Sequence, residues 1–249
     1  MDTASQTNKK KILVIDGLSH DGIKLLEKRA DIEFEILMNP SEEDIIQNSN
    51  DVLGITVRGT KVFITEKIIE NATSLKVVSR HGVGYDNINV ESLSKNNIPL
   101  CIAVNSNKFT VAEHAMFMIL SLAKDSFYND DLTRKSDWKN RLTKLNAFDL
   151  SGKNLLIVGF GRIGKELAKR ALAFDLNVYV YDPYVKNEII EERNCTSISN
   201  INNHLSNIDI VSINCMKTNE TKNMFSYNEF KKMKKTSMII NCARGGNND

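Results

Sequence analysis

The stretch "NLLIVGFGRIGKELAKRALAFDLNVYVYD", residues 154–182, decides the fold. Asn154–Phe160 is a short apolar run rich in branched side chains, as a strand buried on both faces requires. It runs into Gly159, Gly161 and Gly164, spaced G-x-G-x-x-G, which open a helical pattern with an expected apolar face of Ile163, Leu167, Ala171 and Phe174. A second branched run, Asn177–Asp182, follows. Strand, glycine turn, helix and strand in this order make the first half of a doubly wound parallel sheet.

The three glycines serve different physical ends. They allow a tight turn, room for backbone to approach a pyrophosphate, and close contact of helix on strand. The helix start offers unpaired N–H groups and the positive end of its dipole to phosphates. Asp182 stands 18 residues after Gly164, where a carboxylate can accept hydrogen bonds from ribose hydroxyls. It also repels a 2′-phosphate, so the pattern favours NAD over NADP; Lys186 stands close enough in sequence to soften that preference. The bland alternative is a glycine turn in a doubly wound domain that binds nothing.

Outward from this stretch, the alternation continues in both directions. Downstream strands are expected near 195–198, at 208–213 and at 237–243. Upstream, strands are expected at 11–16, 34–37, 52–57, 75–80 and 99–104, with helical patterns between them. Residues 107–145 hold no strand candidate. There "TVAEHAMFMILSLAK" (110–124) reads as a helix capped by Thr110 with Glu113 three residues on, and apolar nearly all round, hence buried between layers. "SFYNDDLTRKSDWKNRL" (126–142) reads as a polar surface helix or arm. The expected architecture is therefore α/β, with two doubly wound parallel-sheet units: 1–105, and 106–249 with the glycine loop.

The 33 basic and 31 acidic residues leave a net charge of +2, which points to neither nucleic acid nor an anionic membrane. The longest apolar run, 115–123, is about half of the ~20 residues a spanning helix needs, and the N-terminus has no secretory pattern. The four cysteines lie far apart without C-x-x-C spacing, so neither a metal site nor a disulfide framework is expected, and reduced thiols in a cytoplasm are the simple reading.

Four blocks carry a family likeness: "VRGTKV" (57–62), "SRHGVGYDNINV" (79–90), "GFGRIGKELA" (159–168) and "INCARGG" (240–246). "TVAEHA" and "VSINCMKTNETKNMF" sit in matching places. From about residue 11 to 246 the chain resembles the D-isomer-specific 2-hydroxyacid dehydrogenases, in the branch around phosphoglycerate dehydrogenase.

The resemblance implies a flavodoxin-like substrate domain, a Rossmann NAD-binding domain, and substrate in the cleft between them. Hydride would pass between NAD and C2 of a small D-2-hydroxy or 2-oxo acid, 3-phosphoglycerate-like. By resemblance, backbone at Val83 and Gly84 holds the substrate carboxylate, although a plain turn is the competing reading. Arg58 matches a position that reaches a substrate phosphate; an ordinary surface arginine competes equally. Arg162 and Ile163 lie along the pyrophosphate, and Cys215 and Cys242 contact the adenosine and nicotinamide ends. Arg244 matches the catalytic arginine, which can grip a carboxylate with two hydrogen bonds and polarise the carbonyl. The family also implies a homodimer, with the helices after residue 107 at the interface.

The family further uses a histidine and an orienting carboxylate downstream of the arginine. None of His20, His81, His114 and His204 matches that histidine. Asn214 and Met216 stand where many members have His and Pro, and "GGNND" departs from the usual apolar and acidic continuation. The expectation is a C-terminally incomplete chain of little activity, since loss of a general acid–base costs ~10²–10⁴-fold. Its last strand, 237–243, is expected to have an open neighbour position. A non-catalytic dinucleotide-sensing protein of the same fold is the alternative from another class.

Overall fold

A computed structural model describes residues 9–59, 61–140 and 147–247. The chain divides into two compact units, separated between Asn107 and Lys108.

The first unit alternates strand and helix: β1 (Lys10–Ile15), α1 (His20–Glu27), β2 (Ile32–Leu37), α2 (Glu42–Gln47), β3 (Val52–Val57), α3 (Glu66–Asn71), β4 (Val77–Arg80), α4 (Val90–Lys95) and β5 (Leu100–Ile102). All strand pairs are parallel, in the order β2-β1-β3-β4-β5. This is the flavodoxin-like order, with its switch point between β1 and β3. Short polar side chains start the helices: Ser19, Ser41, Thr65 and Asn89 each accept a first-turn N–H, and Ser41 with Asp44 forms a capping box. The core gathers Leu13, Ile15, Ile55, Val57 and Val78 from the strands with Ile45, Ile68 and Leu93 from the helices.

The second unit begins with α5 (Lys108–Ala123) and α6 (Ser126–Arg134), then runs β6 (Asn154–Val158), α7 (Arg162–Leu172), β7 (Asn177–Tyr181), α8 (Asn187–Glu191), β8 (Thr196–Ser197), β9 (Ile210–Ile213), α9 (Tyr227–Lys232) and β10 (Met238–Asn241). The parallel order is β10-β9-β6-β7-β8. The chain winds outward from β6 to β8, then returns to add β9 and β10 on the other side, which is the Rossmann order with a switch point between β6 and β9. Both sheet faces are covered. Leu155 and Ile157 of β6 share a core with Ala112, Ile119, Leu167 and Ala171. Leu156 and Val158 point the other way, toward Leu205, Val211 and Phe225. That is why β6 reads as an unbroken apolar run.

Three expectations change. Thr110 does not cap α5, which starts two residues earlier at Lys108. Glu113 instead reaches across to α7, where its carboxylate pairs with Arg170 at 2.8 Å. α5 is not buried all round either: Ala112, Ala115, Met116 and Ile119 face the core, while Phe109, Phe117 and Leu122 are exposed. On α7 the packed face is Gly164, Leu167, Ala168 and Ala171. Phe174 lies past the helix end and is 44% exposed, because the chain has by then turned toward β7. The polar segment after α5 forms α6 and a 3₁₀ turn at Trp138–Asn140; its last residues, 141 and 142, and position 60 of the "VRGTKV" block lie outside the described residues.

Candidate functional site

In the second unit a cavity of about 300 Å³ opens beyond the carboxyl ends of β6 and β9, at the switch point. Gly159 and Gly161 line it from the turn after β6, Tyr181, Asp182 and Tyr184 from the end of β7, and Asn214 and Cys215 from the end of β9. The glycines differ in what they permit. Gly159 has φ +94°, and a Cβ there would stand 2.8 Å from the Cys215 nitrogen. A Cβ on Gly164 would stand 2.1 Å from the Gly159 carbonyl oxygen, so only glycine lets α7 come this close to the turn. A Cβ on Gly161 would meet nothing within 4 Å. The open space lies at the start of α7, where no side chain caps the helix. A pyrophosphate would find room there and the first-turn N–H groups of an 11-residue helix to bind it.

Asp182 holds this corner together. Its Oδ2 accepts the Phe160 N–H at 2.7 Å, and its Oδ1 accepts the Tyr184 N–H at 2.9 Å. A carboxylate oxygen has more than one acceptor direction, so ribose hydroxyls can still be received. Lys186, the cation that weakened the case for NAD, does not line the cavity. Cys215 lines it, and burial pushes its thiol up. Cys242 does not: it packs into the α5–α7 core with its Sγ 3.9 Å from the Met118 sulfur. Arg162 is exposed and Ile163 half-buried at the start of α7, and Gly164 is buried beneath the turn. The cavity therefore gathers Gly159, Gly161, Asp182 and Cys215, and leaves Arg162, Ile163, Gly164 and Cys242 outside its wall.

Arg244 is exposed, three residues beyond the end of β10. Asn241 shapes the turn that presents it: Asn241 Oδ1 accepts the Ala243 N–H at 3.0 Å, and its Nδ2 donates to the Arg244 carbonyl at 2.9 Å.

In the first unit, Arg58 directly follows β3, beside the switch point, with its N–H bonded to the Ile15 carbonyl at 3.1 Å and its side chain exposed. Val83 and Gly84 are half-buried in the loop after β4. What binds these segments to each other is Arg80, 7% exposed, a residue that the sequence motifs did not single out. Its Nη1 donates to the carbonyls of Val57 at 2.9 Å, His81 at 3.0 Å and Arg58, and its Nε donates to Gly84 at 2.9 Å. Asn87 adds bonds to the carbonyls of Gly59 and Val62 at 3.1 and 2.6 Å. The backbone near Val83 and Gly84 and the backbone of Arg58 are thus fixed by one buried guanidinium. His81 joins this network through its backbone, whereas His114 stacks on Phe117 and His204 lies against Tyr179.

Residues 116–249 match the family model described as "D-isomer specific 2-hydroxyacid dehydrogenase, NAD binding domain". The D-3-phosphoglycerate dehydrogenase of Methanocaldococcus jannaschii is 34% identical over 237 residues, 95% of this chain and 44% of the relative, so the chain spans less than half of that protein's length. The glyoxylate reductase of Thermococcus litoralis is 30% identical over 243 residues, 95% of this chain and 73% of the relative. Among solved structures, D-lactate dehydrogenase from Aquifex aeolicus, complexed with NAD and lactic acid, has a TM-score of 0.85 at 27% identity, covering 96% of this chain and 70% of the other. The sheet orders, the glycine turn with Asp182 and these matches lead to one conclusion: this chain belongs to the D-isomer specific 2-hydroxyacid dehydrogenase family.

Proposed function

We propose that the chain serves an NAD-dependent oxidoreductase that passes a hydride between the coenzyme and C2 of a small D-2-hydroxy acid. The observation that carries this reading is the open space at Gly161, at the start of an uncapped α7 and in one cavity with Asp182. In the bound state the α7 N–H groups hold the pyrophosphate, Asp182 receives the adenosine ribose, and Cys215 forms part of the cavity wall. Arg162 and Ile163 flank the pyrophosphate, and Cys242 lies toward the nicotinamide end. The coenzyme supplies or accepts the hydride. Arg244 grips the substrate carboxylate and draws charge onto the carbonyl oxygen.

Arg58, at the first unit's switch point, together with backbone at Val83 and Gly84, supports an anionic, 3-phosphoglycerate-like acid, in line with the names of several relatives. On that reading the first unit is the substrate-binding domain, the second the coenzyme domain, and serine biosynthesis the pathway. None of the four histidines matches the family's proton-moving position, so low turnover is expected from this chain alone. The exposed Phe109, Phe117, Leu122, Phe127 and Trp138 on and after α5 support a homodimer. Among the described residues no helix is long and apolar enough to cross a membrane, and a cytoplasmic location is proposed. NADH titration followed by nicotinamide fluorescence tests the coenzyme site. Saturable binding supports the reading, and absence of binding by folded protein overturns it.

A further inference from the structure

The mouth of the second unit's cavity carries a feature that the glycine turn and Asp182 do not account for. Glu220 lines the cavity from the segment after β9, while Tyr184 and Asp182 line it from the end of β7. The Tyr184 hydroxyl donates to Glu220 Oε2 at 2.5 Å, and the Tyr184 N–H donates to Asp182 Oδ1 at 2.9 Å. One tyrosine therefore connects two carboxylates, its backbone to one and its phenol to the other.

The turn that carries Glu220 is fixed by its neighbours. Thr218 and Thr221 exchange hydrogen bonds across it: the Thr218 N–H donates to Thr221 Oγ1 at 2.8 Å and the Thr221 N–H to Thr218 Oγ1 at 3.3 Å. Thr221 Oγ1 donates in turn to the Met216 carbonyl at 2.6 Å. The Glu220 carboxylate pushes the Tyr184 phenol up, with a smaller contribution from Asp182. Among the described residues no lysine, arginine or histidine lines the cavity. The nearby Lys217 packs over Gly246 instead, where a Cβ would meet its Nζ at 2.7 Å.

We propose that Glu220, held by the Tyr184 hydroxyl, is a second determinant of coenzyme choice, acting with Asp182 to exclude a dinucleotide phosphorylated on its adenosine ribose. The inference rests on the coenzyme reading of this cavity and deepens it. A 2′-phosphate entering here would meet two carboxylates and no counter-ion among the cavity's lining residues. One carboxylate within about 6 Å of a dianionic phosphate in a water-like dielectric corresponds to roughly tenfold in affinity. Exposed charges are screened, so the effect shrinks as salt rises.

The test measures NADH and NADPH dissociation constants by nicotinamide fluorescence, at low and high salt, for the 249-residue chain and for Glu220→Gln and Tyr184→Phe. Both substituted side chains are exposed, and circular dichroism and a thermal melt confirm that each variant folds. Glu220→Gln is expected to tighten NADPH by about tenfold with NADH within about twofold, and to weaken the salt dependence of the preference. Tyr184→Phe is expected to move the preference in the same direction by less, since it releases Glu220 without removing it. A preference unchanged in Glu220→Gln, with NADH still bound, overturns this inference alone. Failure of the parent chain to bind either coenzyme overturns it together with the proposed function.

Discussion

Gly161→Ala separates binding from folding. Gly161 has φ −72° and ψ −154°, an extended conformation open to alanine, and the added methyl meets no protein atom within 4 Å. The unfolded chain loses freedom, worth about 0.4–1 kcal/mol, but Gly161 is the N-cap of α7, where alanine is disfavoured by a comparable amount. The two effects largely cancel, so Tm should move by no more than about 2 °C in either direction. The same methyl occupies space that, on the proposed reading, a pyrophosphate enters. Over-packing of about 1–3 kcal/mol corresponds to a dissociation constant for NADH raised roughly 5- to 150-fold. Gly164→Ala is the control, because its Cβ falls 2.1 Å from the Gly159 carbonyl oxygen. Helix propensity gains about 1 kcal/mol there, too little to offset a collision with backbone, so Tm and affinity should both fall. Differential scanning fluorimetry and NADH titration read the two quantities. A Gly161→Ala variant that binds NADH like the parent would refute the placement of the pyrophosphate at this turn.

Arg80→Met removes the donor of four backbone carbonyls inside the first unit and should destabilise it by about 3–5 kcal/mol in urea unfolding; a change under about 1 kcal/mol would show the network to be dispensable. For Asp209, burial pushes the carboxyl up, but the Asn154 N–H at 2.9 Å and the Lys234 ammonium at 2.7 Å outweigh it and hold the group below the ordinary aspartate value. Its stabilising contribution is complete at neutral pH, starts to fall as pH drops through about 4, and is gone below the depressed folded value. Tm measured against pH should show a flatter acid limb in Asp209→Asn, and an identical limb would contradict the assignment. Asn241→Ala removes both bonds that shape the Arg244 turn; Tm should fall by only a few degrees, about 1 kcal/mol, while quenching of bound NADH by a 2-oxo acid analogue weakens. Burial pushes the Cys195 thiol up to about 11, whereas Cys101 is exposed. Alkylation at mild pH, mapped by mass spectrometry, should therefore label Cys101 well before Cys195, and the reverse order would contradict the packing.

Local signals made much of the fold legible. Branched runs alternating with capped helices located the strands, and the glycine spacing with Asp182 located the turn and its carboxylate. What stayed hidden depends on partners distant in sequence. Arg80 sits in a recognisable motif, yet its role needs carbonyls 22 and 23 residues upstream. Glu220 meets Tyr184 across 36 residues. Thr110 and Glu113 satisfy a capping pattern locally, but the pairing of Glu113 with Arg170 reassigns the carboxylate. Phe174 continues a helical period that the turn into β7 cuts short.

Asp182 ties the loop after β6 to the segment after β7 through two amides. Anyone redesigning the protein to accept the phosphorylated coenzyme by replacing this aspartate would also unfasten the Phe160 amide, and with it the turn that every dinucleotide needs. On the proposed reading, the ordering of the loop and part of the discrimination between coenzymes meet in this one side chain, so a redesign should leave it untouched and work from the opposite rim.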